Sequence, residues 1–525
     1  MKMCSQLLVI VSFCLFSRFT ASAQGTVYAY QLYRTTGTSP ASALGVALDP
    51  GTNGYVLGEF ASATTINGTT LNNASGWPDF LLMKFKYGST NAPQWVKAPV
   101  TDYAVSNVLL GIDTSANCYV AGGFGGTNLT FGTTSITNYG NPGDHSEDIF
   151  LAKYNTSGTF TFVTQAGGIG EDTLGALATD TSGNCYLTGM FDSPTFTAGS
   201  SNLVRQSASG GDCFVMKFNS SGSLTWMNQG SYAAGTCLTF DSANNCYVGG
   251  ALLGPAVFTG LNPSNQITTN FLAKYTSTGT LLWVRGDVTM GNCLDADKAQ
   301  NLYTAGTFSN IAQFGSITLT NYSASTMFLA KYDTNGNALW AVQLPGFGND
   351  RITGLTIDAR TNCWISGCFA STNSPTNTIV VVARYNLNGL LTGISQVSPA
   401  QFSTAGGIAA NLGMVPPLAG ANIWMAGSYA TNFMIGSKAA LTNAGNLDIF
   451  AAWLFVSPQL TTATTGTNVV TSWPAADGTG FELQTNSDLS STNWNSVSGG
   501  STVNGQVMVT NVITPGVHFY RLLKP

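Results

Sequence analysis

The chain repeats itself, and the repeat limits what it can fold into. An Asn-x-Tyr/Trp landmark recurs seven times, at Asn53–Tyr55, Asn117–Tyr119, Asn184–Tyr186, Asn245–Tyr247, Asn301–Tyr303, Asn362–Trp364 and Asn422–Trp424. Each aromatic residue is followed three positions later by glycine, from Gly58 to Gly427. A second landmark is an apolar run ending in a cation and an aromatic residue: Lys84-Phe85, Lys153-Tyr154, Lys217-Phe218, Lys274-Tyr275, Lys331-Tyr332 and Arg384-Tyr385. The seventh copy is altered, to Phe450-Ala451-Ala452-Trp453. A third landmark is a glycine turn before a tryptophan, as in Gly222…Trp226, Gly279…Trp283 and Gly336…Trp340.

No segment carries a 3.6-residue apolar period. The apolar runs are short, rich in β-branched and aromatic residues, and bounded by Gly, Asn and Ser, which is the pattern of strands. Each unit therefore predicts four strands. Strand a is exemplified by Gly354–Ile357, strand b carries the Asn-x-Tyr, strand c the lysine and strand d the tryptophan. Four short strands repeated at such a period describe a β-propeller blade, so the expected fold is all-β with seven blades over residues 24–456. Strand d occurs only six times within the array, because the seventh set runs straight into Ser457-Pro458. The missing copy is Val27–Tyr33, which is expected to pair with strand c of the seventh unit and close the ring. Closure removes a bare sheet edge.

The D-x-x-[GAN]-N-x-Y-x-x-G strand pair, as in Asp241–Gly250, and the D-x-F-[LV]-x-K-[YF] strand, as in Asp148–Tyr154, resemble the SBBP repeats. These form a seven-bladed β-propeller family of exported bacterial proteins. The resemblance covers about residues 26–456. It implies a fold and an exported location, and the family has no single activity to lend. This chain departs from the pattern by placing cysteine in strand b and by degrading its seventh unit. Residues 457–525 lack the landmarks. Alternation in 468–473, 481–484, 506–509 and 518–522 predicts a small β-sandwich resembling fibronectin-type-III-like (Ig-like) modules, with a core resting on Trp473, Trp494, Tyr520 and aliphatic residues.

Residues 1–23 read as a signal peptide: Lys2, an apolar run from Leu7 to Phe16, and the small-x-small Ala21-Ser22-Ala23 before Gln24. No later segment reads as a membrane span, since the longest uncharged stretch contains Pro416-Pro417. The mature chain is expected to be a secreted or cell-surface monomer beyond the inner membrane. Eight of the ten cysteines lie beyond residue 24. Cys118, Cys185, Cys246 and Cys363 share one repeat position, and Cys237 and Cys293 another, so they are expected to be buried free thiols in separate units. No C-x-x-C pair exists for zinc.

Charged residues make up only 8% of the chain, against about 25% in ordinary domains. With 19 Lys+Arg and a net charge of −5 there is no basic field for nucleic acid. Two histidines, His145 and His518, leave little for a histidine metal centre; neither metal nor cofactor is expected. The charges that do occur are periodic. Asp49, Asp113, Asp180, Asp241, Asp297 and Asp358 end strand a; Lys84, Lys153, Lys217, Lys274, Lys331 and Arg384 end strand c. The seventh unit has Asn411 and Trp453 instead, so both partners vanish together. They are expected to form structural ion pairs within each unit, with a sixfold binding ring as the alternative. The c–d turns, such as Asn155–Gly158 and Asp333–Gly336, lack calcium-loop spacing and read as hairpin turns.

The opposite face carries the b–c and d–a loops and is the expected binding face. The b–c loop of unit 2, about 125–147, ends Asp144-His145-Ser146-Glu147-Asp148, where histidine meets carboxylates. Asp144, His145, Glu147, Glu171 and Asp172 are therefore the candidates for acid–base or metal chemistry, with solvated loop charge as the plainer reading; Asp350-Arg351 is secondary. Asp79, Asp148, Asp212 and Asp448 all start strand c, which points to a local structural role. No G-x-S-x-G, P-loop or H-E-x-x-H occurs. Two functions remain: a non-enzymatic scaffold binding a cell-surface protein or glycan, which is favoured, and a carbohydrate-active hydrolase or lyase with loop carboxylates at the axial mouth.

Overall fold

The structure, a computed structural model, describes residues 7–11, 21–22, 25–34, 41–410 apart from short stretches (the longest 262–269), 423–429, 448–456 and most of 460–523. Every regular element among them is a β-strand. Unit 3 shows the pattern. Strand a is Asp172–Thr179, strand b Cys185–Phe191, strand c Asp212–Phe218 and strand d Leu224–Gly230, hydrogen-bonded in that order into one antiparallel sheet. Units 1, 2, 4, 5 and 6 repeat the order, with strand a at Ala41–Leu48, Val105–Ile112, Ala233–Phe240, Cys293–Ala296 and Arg351–Ile357.

Strands b and c are buried on both faces. All seven residues of Cys118–Phe124 and all seven of Asp148–Tyr154 are buried. That explains their near-continuous apolar sequence, since alternation survives only where one face meets water. The core is accordingly divided into layers between successive sheets. One layer joins Tyr55, Leu57 and Phe80 of unit 1 to Val120 and Phe150 of unit 2, and the next joins Tyr119 and Leu151 to Leu187 and Phe214 of unit 3. Strand a of each unit lies against strand a of the next, and strand a of the seventh, Thr404–Ala410, lies against Ala41–Leu48 of the first. A β-bulge interrupts the a–b pairing in units 1, 2, 3, 4, 6 and 7. Bulges sharpen the bend and twist of a strand, and here they fall where neighbouring strands crowd. A Cβ on Gly175 would lie 2.0 Å from the Gly235 carbonyl oxygen, so only glycine fits there.

The seventh sheet is composite. Its order is Thr404–Ala410, Ile423–Tyr429, Asp448–Val456 and then Gly25–Arg34 from the other end of the chain. Val27 stands opposite Val456 and Arg34 opposite Phe450, in an antiparallel pairing. The start of Gly25–Arg34 also pairs in parallel with strand d of unit 6, Gly25 opposite Gly393. Asn411 lies outside the described residues, and of Trp453 only the backbone is described.

The b–c segment of unit 2, expected to be a long loop, holds a hairpin of Asn128–Phe131 with Thr134–Thr137. Leu129 and Phe131 are buried in the layer between units 1 and 2, which gives this segment an apolar reason to fold. The matching hairpin strand of unit 3, Thr195–Ala198, pairs with strand d of unit 2, Ala166 opposite Ala198.

At the C-terminus two small antiparallel sheets enclose Leu460, Val469, Trp473, Leu483, Val509, Tyr520 and Leu522. Trp494, expected in this core, is only half-buried, in a short segment beside the two-residue strand Asn495–Ser496. The apolar run Leu7–Val11 is extended and pairs with His518–Leu523, and Ala21–Ser22 pairs with Thr461–Thr462; both occupy sheet edges. Among the described residues no helix is long and apolar enough to cross a membrane. Cys118, Cys185, Cys213, Cys237, Cys246, Cys293 and Cys363 are free in the structure, and the Cys368 side chain lies outside the described residues. Burial pushes the Cys213, Cys237 and Cys293 thiols up to about 12.

Candidate functional site

The periodic charges form one repeated constellation, seen fully in unit 4. Asp241 Oδ1 accepts from the Asn245 backbone at 2.9 Å, and Oδ2 accepts from Asn245 Nδ2 at 2.9 Å and from Tyr247 Oη at 3.2 Å. Lys274 Nζ lies 3.6 Å from the same Oδ2 and 4.7 Å from the centroid of the Tyr247 ring. The carboxylate is thus surrounded by donors and the ammonium by a carboxylate and a π-face, which is how a buried charge is tolerated. The corresponding separations are 3.5 Å for Lys84–Asp49, 3.9 Å for Lys217–Asp180 and 3.3 Å for Lys331–Asp297. Lys153 and Asp113 do not meet directly among the described residues. Lys153 Nζ lies over the Tyr119 ring at 4.9 Å, and Tyr119 Oη donates to Asp113 at 3.2 Å, so the tyrosine stands between them. In unit 6 tryptophan replaces tyrosine: Trp364 Nε1 donates to Asp358 at 2.9 Å, with the Arg384 guanidinium 5.7 Å from its ring.

Four of the five lysines also reach out of their own unit. Lys84 donates to the Thr156 carbonyl at 3.1 Å, Lys153 to Ser220 at 3.0 Å, Lys217 to Ser277 at 3.1 Å and Lys274 to Thr334 at 3.5 Å, always on the c–d turn of the next unit. The strand-d tryptophans join in, Trp226 Nε1 donating to Ser277 at 3.1 Å. The motif is therefore an inter-unit latch. Pairing by sequence equivalence pointed only within a unit; the sequence signal for the latch is a Ser or Thr recurring at 156, 220, 277 and 334, two residues before each turn glycine.

The acidic residues that start strand c do similar work on the opposite face. Asp148 accepts from the Tyr139 backbone at 2.7 Å, Gln165 Nε2 at 3.2 Å and the Gly168 backbone at 3.1 Å. Asp212 likewise ties Gln206, Gln229 and Tyr232 together. Asp172, a candidate for chemistry, is fully buried and accepts from Ser193 Oγ at 2.7 Å and from the Ser193 and Asp192 backbones. It clamps a loop and shows no face to solvent. Burial pushes Asp79, Asp148 and Asp172 up to about 7.

The remaining candidates separate into two places. Glu147 turns toward the first strands: Ser106 Oγ donates to its Oε2, and its backbone N–H donates to Glu171 Oε2 at 3.1 Å. Burial raises the Glu147 pKa, and the Glu171 charge adds to the effect. Ser106 also lines a cavity of about 230 Å3 between units 1, 2 and 3, with Glu59, Asn107, Leu44 and Leu174. A buried carboxyl with a raised pKa, such as Glu147, is a starting condition for general acid chemistry.

His145 has different partners. Its ring stacks on Tyr103 at 3.9 Å and 10°, with Nδ1 3.3 Å from the Gly125 carbonyl. Trp77 packs on Tyr103 at 4.7 Å, and 47% of Trp77 is exposed. Beside this stack lies a cavity of about 120 Å3 lined by Asp102, Tyr103, Asn138, Asp144, His145 and Gly125 among others. Asp144 accepts from Ser146 N and Oγ at 3.1 and 3.0 Å. The sequence placed Asp144, His145 and Glu147 together, but their side chains go to different partners. Among the described residues no group of three or more His, Cys, Asp or Glu side chains could hold a metal ion. Sequence reasoning missed Trp77, Tyr103 and Asp102, which come from loops of units 1 and 2 and share no motif. Asp350 lies outside the described residues, and Arg351 opens strand a of unit 6.

No family model matches the chain. It is 22% identical over 378 residues to an uncharacterized WD repeat-containing protein of Acanthamoeba polyphaga mimivirus, a match covering 57% of this chain and 27% of that protein. The chain thus spans about a quarter of that relative's length. Among solved structures, a protein of unknown function from Bacteroides caccae aligns at 9% identity and TM-score 0.28, over 61% of this chain and 94% of that one. Sqt1 from Chaetomium thermophilum aligns at 10% identity and TM-score 0.32, over 70% and 86%. The WD-repeat likeness and the succession of antiparallel sheets fit a β-propeller-like repeat protein.

Proposed function

We propose that this chain is an exported scaffold without enzymatic activity, which binds a protein or glycan at a cell surface through its b–c and d–a loops. In this reading residues 24–456 are a seven-bladed β-propeller of SBBP type, closed by Gly25–Arg34. Residues 457–525 are a fibronectin-III-like spacer, and residues 1–23 a leader removed before Gln24. The ring rests on the cyclic succession of first strands and on the pairing of Gly25–Arg34 with Asp448–Val456. Leader removal would withdraw only edge strands from the C-terminal sheets.

One observation carries the binding role: the repeated charges are engaged in holding units together, while the loop face displays the rings of Trp77, Tyr103 and His145 beside an open cavity. The mature chain from Gln24, immobilised and offered cell surfaces and glycans, should retain a specific ligand without altering it. Chemical conversion of the ligand would overturn the non-enzymatic reading.

A second reading, a carbohydrate-active hydrolase or lyase, draws on Glu147 and Glu171, of which Glu147 accepts from Ser106 in the lining of the larger cavity. It requires turnover that Glu147→Gln abolishes while Tm holds. Export predicts a secreted form whose first residue is Gln24; recovery of intact residues 1–23 on the secreted protein would exclude cleavage.

A further inference from the structure

We infer that the Trp77–Tyr103–His145 stack and the cavity beside it form a binding site for a neutral oligosaccharide. This rests on the loop-face binding role proposed above and names the ligand class. Three loops build the site. Trp77 comes from the b–c loop of unit 1, Tyr103 from the loop joining units 1 and 2, and His145 from the b–c loop of unit 2. Each ring is held. Asn73 Nδ2 donates to the Trp77 carbonyl at 2.6 Å, and the Trp77 N–H donates to Ser75 Oγ at 3.2 Å. Tyr103 is gripped between its two neighbours, and His145 is fixed through Gly125.

His145 adopts φ +58, a left-handed conformation that few residues other than glycine hold without support from their surroundings. Gly125 permits the close approach of its loop, because a Cβ there would lie 2.8 Å from the His145 carbonyl oxygen. The rings therefore sit in prepared positions rather than on a loosely hung loop, and preorganisation lowers the cost of binding.

The chemistry of the surroundings selects the ligand. A pyranose presents polarised C–H groups on its flat face and hydroxyls around its rim. The C–H face suits an exposed aromatic π-surface, whose quadrupole is negative. The hydroxyls need acceptors, and Asp102 and Asp144 line the cavity with carboxylates while Asn138 and the loop backbone add amide groups. None of the described lining residues is lysine or arginine, so phosphate, sulfate and uronate ligands find no cation among them and meet two carboxylates instead. A ligand spanning the cavity and the Trp77 face needs at least two sugar rings.

The test is calorimetric titration of the mature chain with cellohexaose, laminarihexaose, xylohexaose, mannohexaose and polygalacturonate. At least one neutral oligosaccharide should bind and polygalacturonate should not. Trp77→Ala and Asp102→Ala should each weaken binding on the order of tenfold, the size of one aromatic or hydrogen-bonded contact. Both side chains are exposed, so Tm should hold, and Tyr103→Phe, which keeps the ring, should bind nearly as well as the parent. Binding unaffected by Trp77→Ala, or binding of polygalacturonate alone, would overturn the site. If no glycan binds but the chain still captures a surface protein, the inference falls and the scaffold role stands. If nothing is captured, both fall.

Discussion

At the residue scale the buried aspartates divide into two kinds. Asp241 has four protein donors and a lysine; Asp148, Asp172 and Asp295 have donors but no ion pair among the described residues, and Asp79 has a buried Oδ1 with no partner there. The first kind predicts coupling. Asp241→Asn and Lys274→Met should each destabilise the protein, since each leaves a buried partner alone, and the double variant should cost less than their sum by on the order of 1 kcal/mol. Additive effects in a denaturant double-mutant cycle would show that the pair does not act as one. The second kind predicts a pH dependence. Asp79, Asp148 and Asp172 are pushed up to about 7 and Asp295 to about 6, each chiefly by burial. Their unfolded value is near 3.8, so the fold binds protons that the unfolded chain has released. That contribution to stability is full below about pH 4 and is lost as pH rises through 7. Asp297 and Asp333 act oppositely: despite burial, hydrogen bonds from Asn301 and Asn337 hold them low, and their contribution is lost only in stronger acid. Tm should therefore rise from pH 8 to pH 5, and Asp79→Asn should reduce that slope. A Tm that falls over this range would contradict the account.

At the scale of single elements the c–d turn matters most, because it is where one unit receives the next. Gly279 has φ +89, and a Cβ there would lie 2.6 Å from Trp226 Cδ2 of the preceding unit. Gly279→Ala should cost about 1–3 kcal/mol, combining backbone strain with displacement of the indole. Gly210 has a similar φ of +68, but its Cβ would meet nothing closer than 3.9 Å. Gly210→Ala should cost less, and equal costs in urea melts would mean that the indole contact contributes nothing. The same reasoning explains why tryptophan recurs in strand d: its ring covers a glycine that has no side chain of its own, and its Nε1–H satisfies a turn carbonyl.

For the whole molecule the decisive pairing joins the two ends of the repeat array. Gly25–Arg34 fills the fourth position of the seventh sheet and touches the sixth, so it covers an edge that would otherwise be open. Deleting residues 24–34 should lower stability by several kcal/mol, on the order of losing a buried aromatic cluster, and promote aggregation. Deleting residues 457–525 should barely alter melting of the repeat array, because the C-terminal sheets enclose their own core. Thermal melts of the two truncations decide this, and an N-terminal deletion that melts like the intact chain would remove the case for closure.

The sequence alone determined what depends on period and local chemistry. The recurring Asn-x-Tyr, Lys-aromatic and Gly…Trp landmarks specify strands, their order within a unit and the N-terminal strand that completes the last one. A local pattern repeated many times averages out ambiguity in any single copy. The Asp–Lys association was legible for the same reason, through its joint loss in the seventh unit. What sequence could not supply is contact between positions that share no equivalence. The latch from Lys274 to Thr334 crosses a sheet boundary, and Tyr119 stands between Lys153 and Asp113 because of side-chain placement that spacing does not encode. The neighbours Asp144, His145 and Glu147 looked like one cluster, yet the His145 ring stacks on Tyr103 while Glu147 accepts from Ser106. Trp77 and Tyr103 join His145 only because the packing of units 1 and 2 brings their loops to one spot. Non-local juxtaposition is set by how sheets pack, and only the tertiary structure decides it.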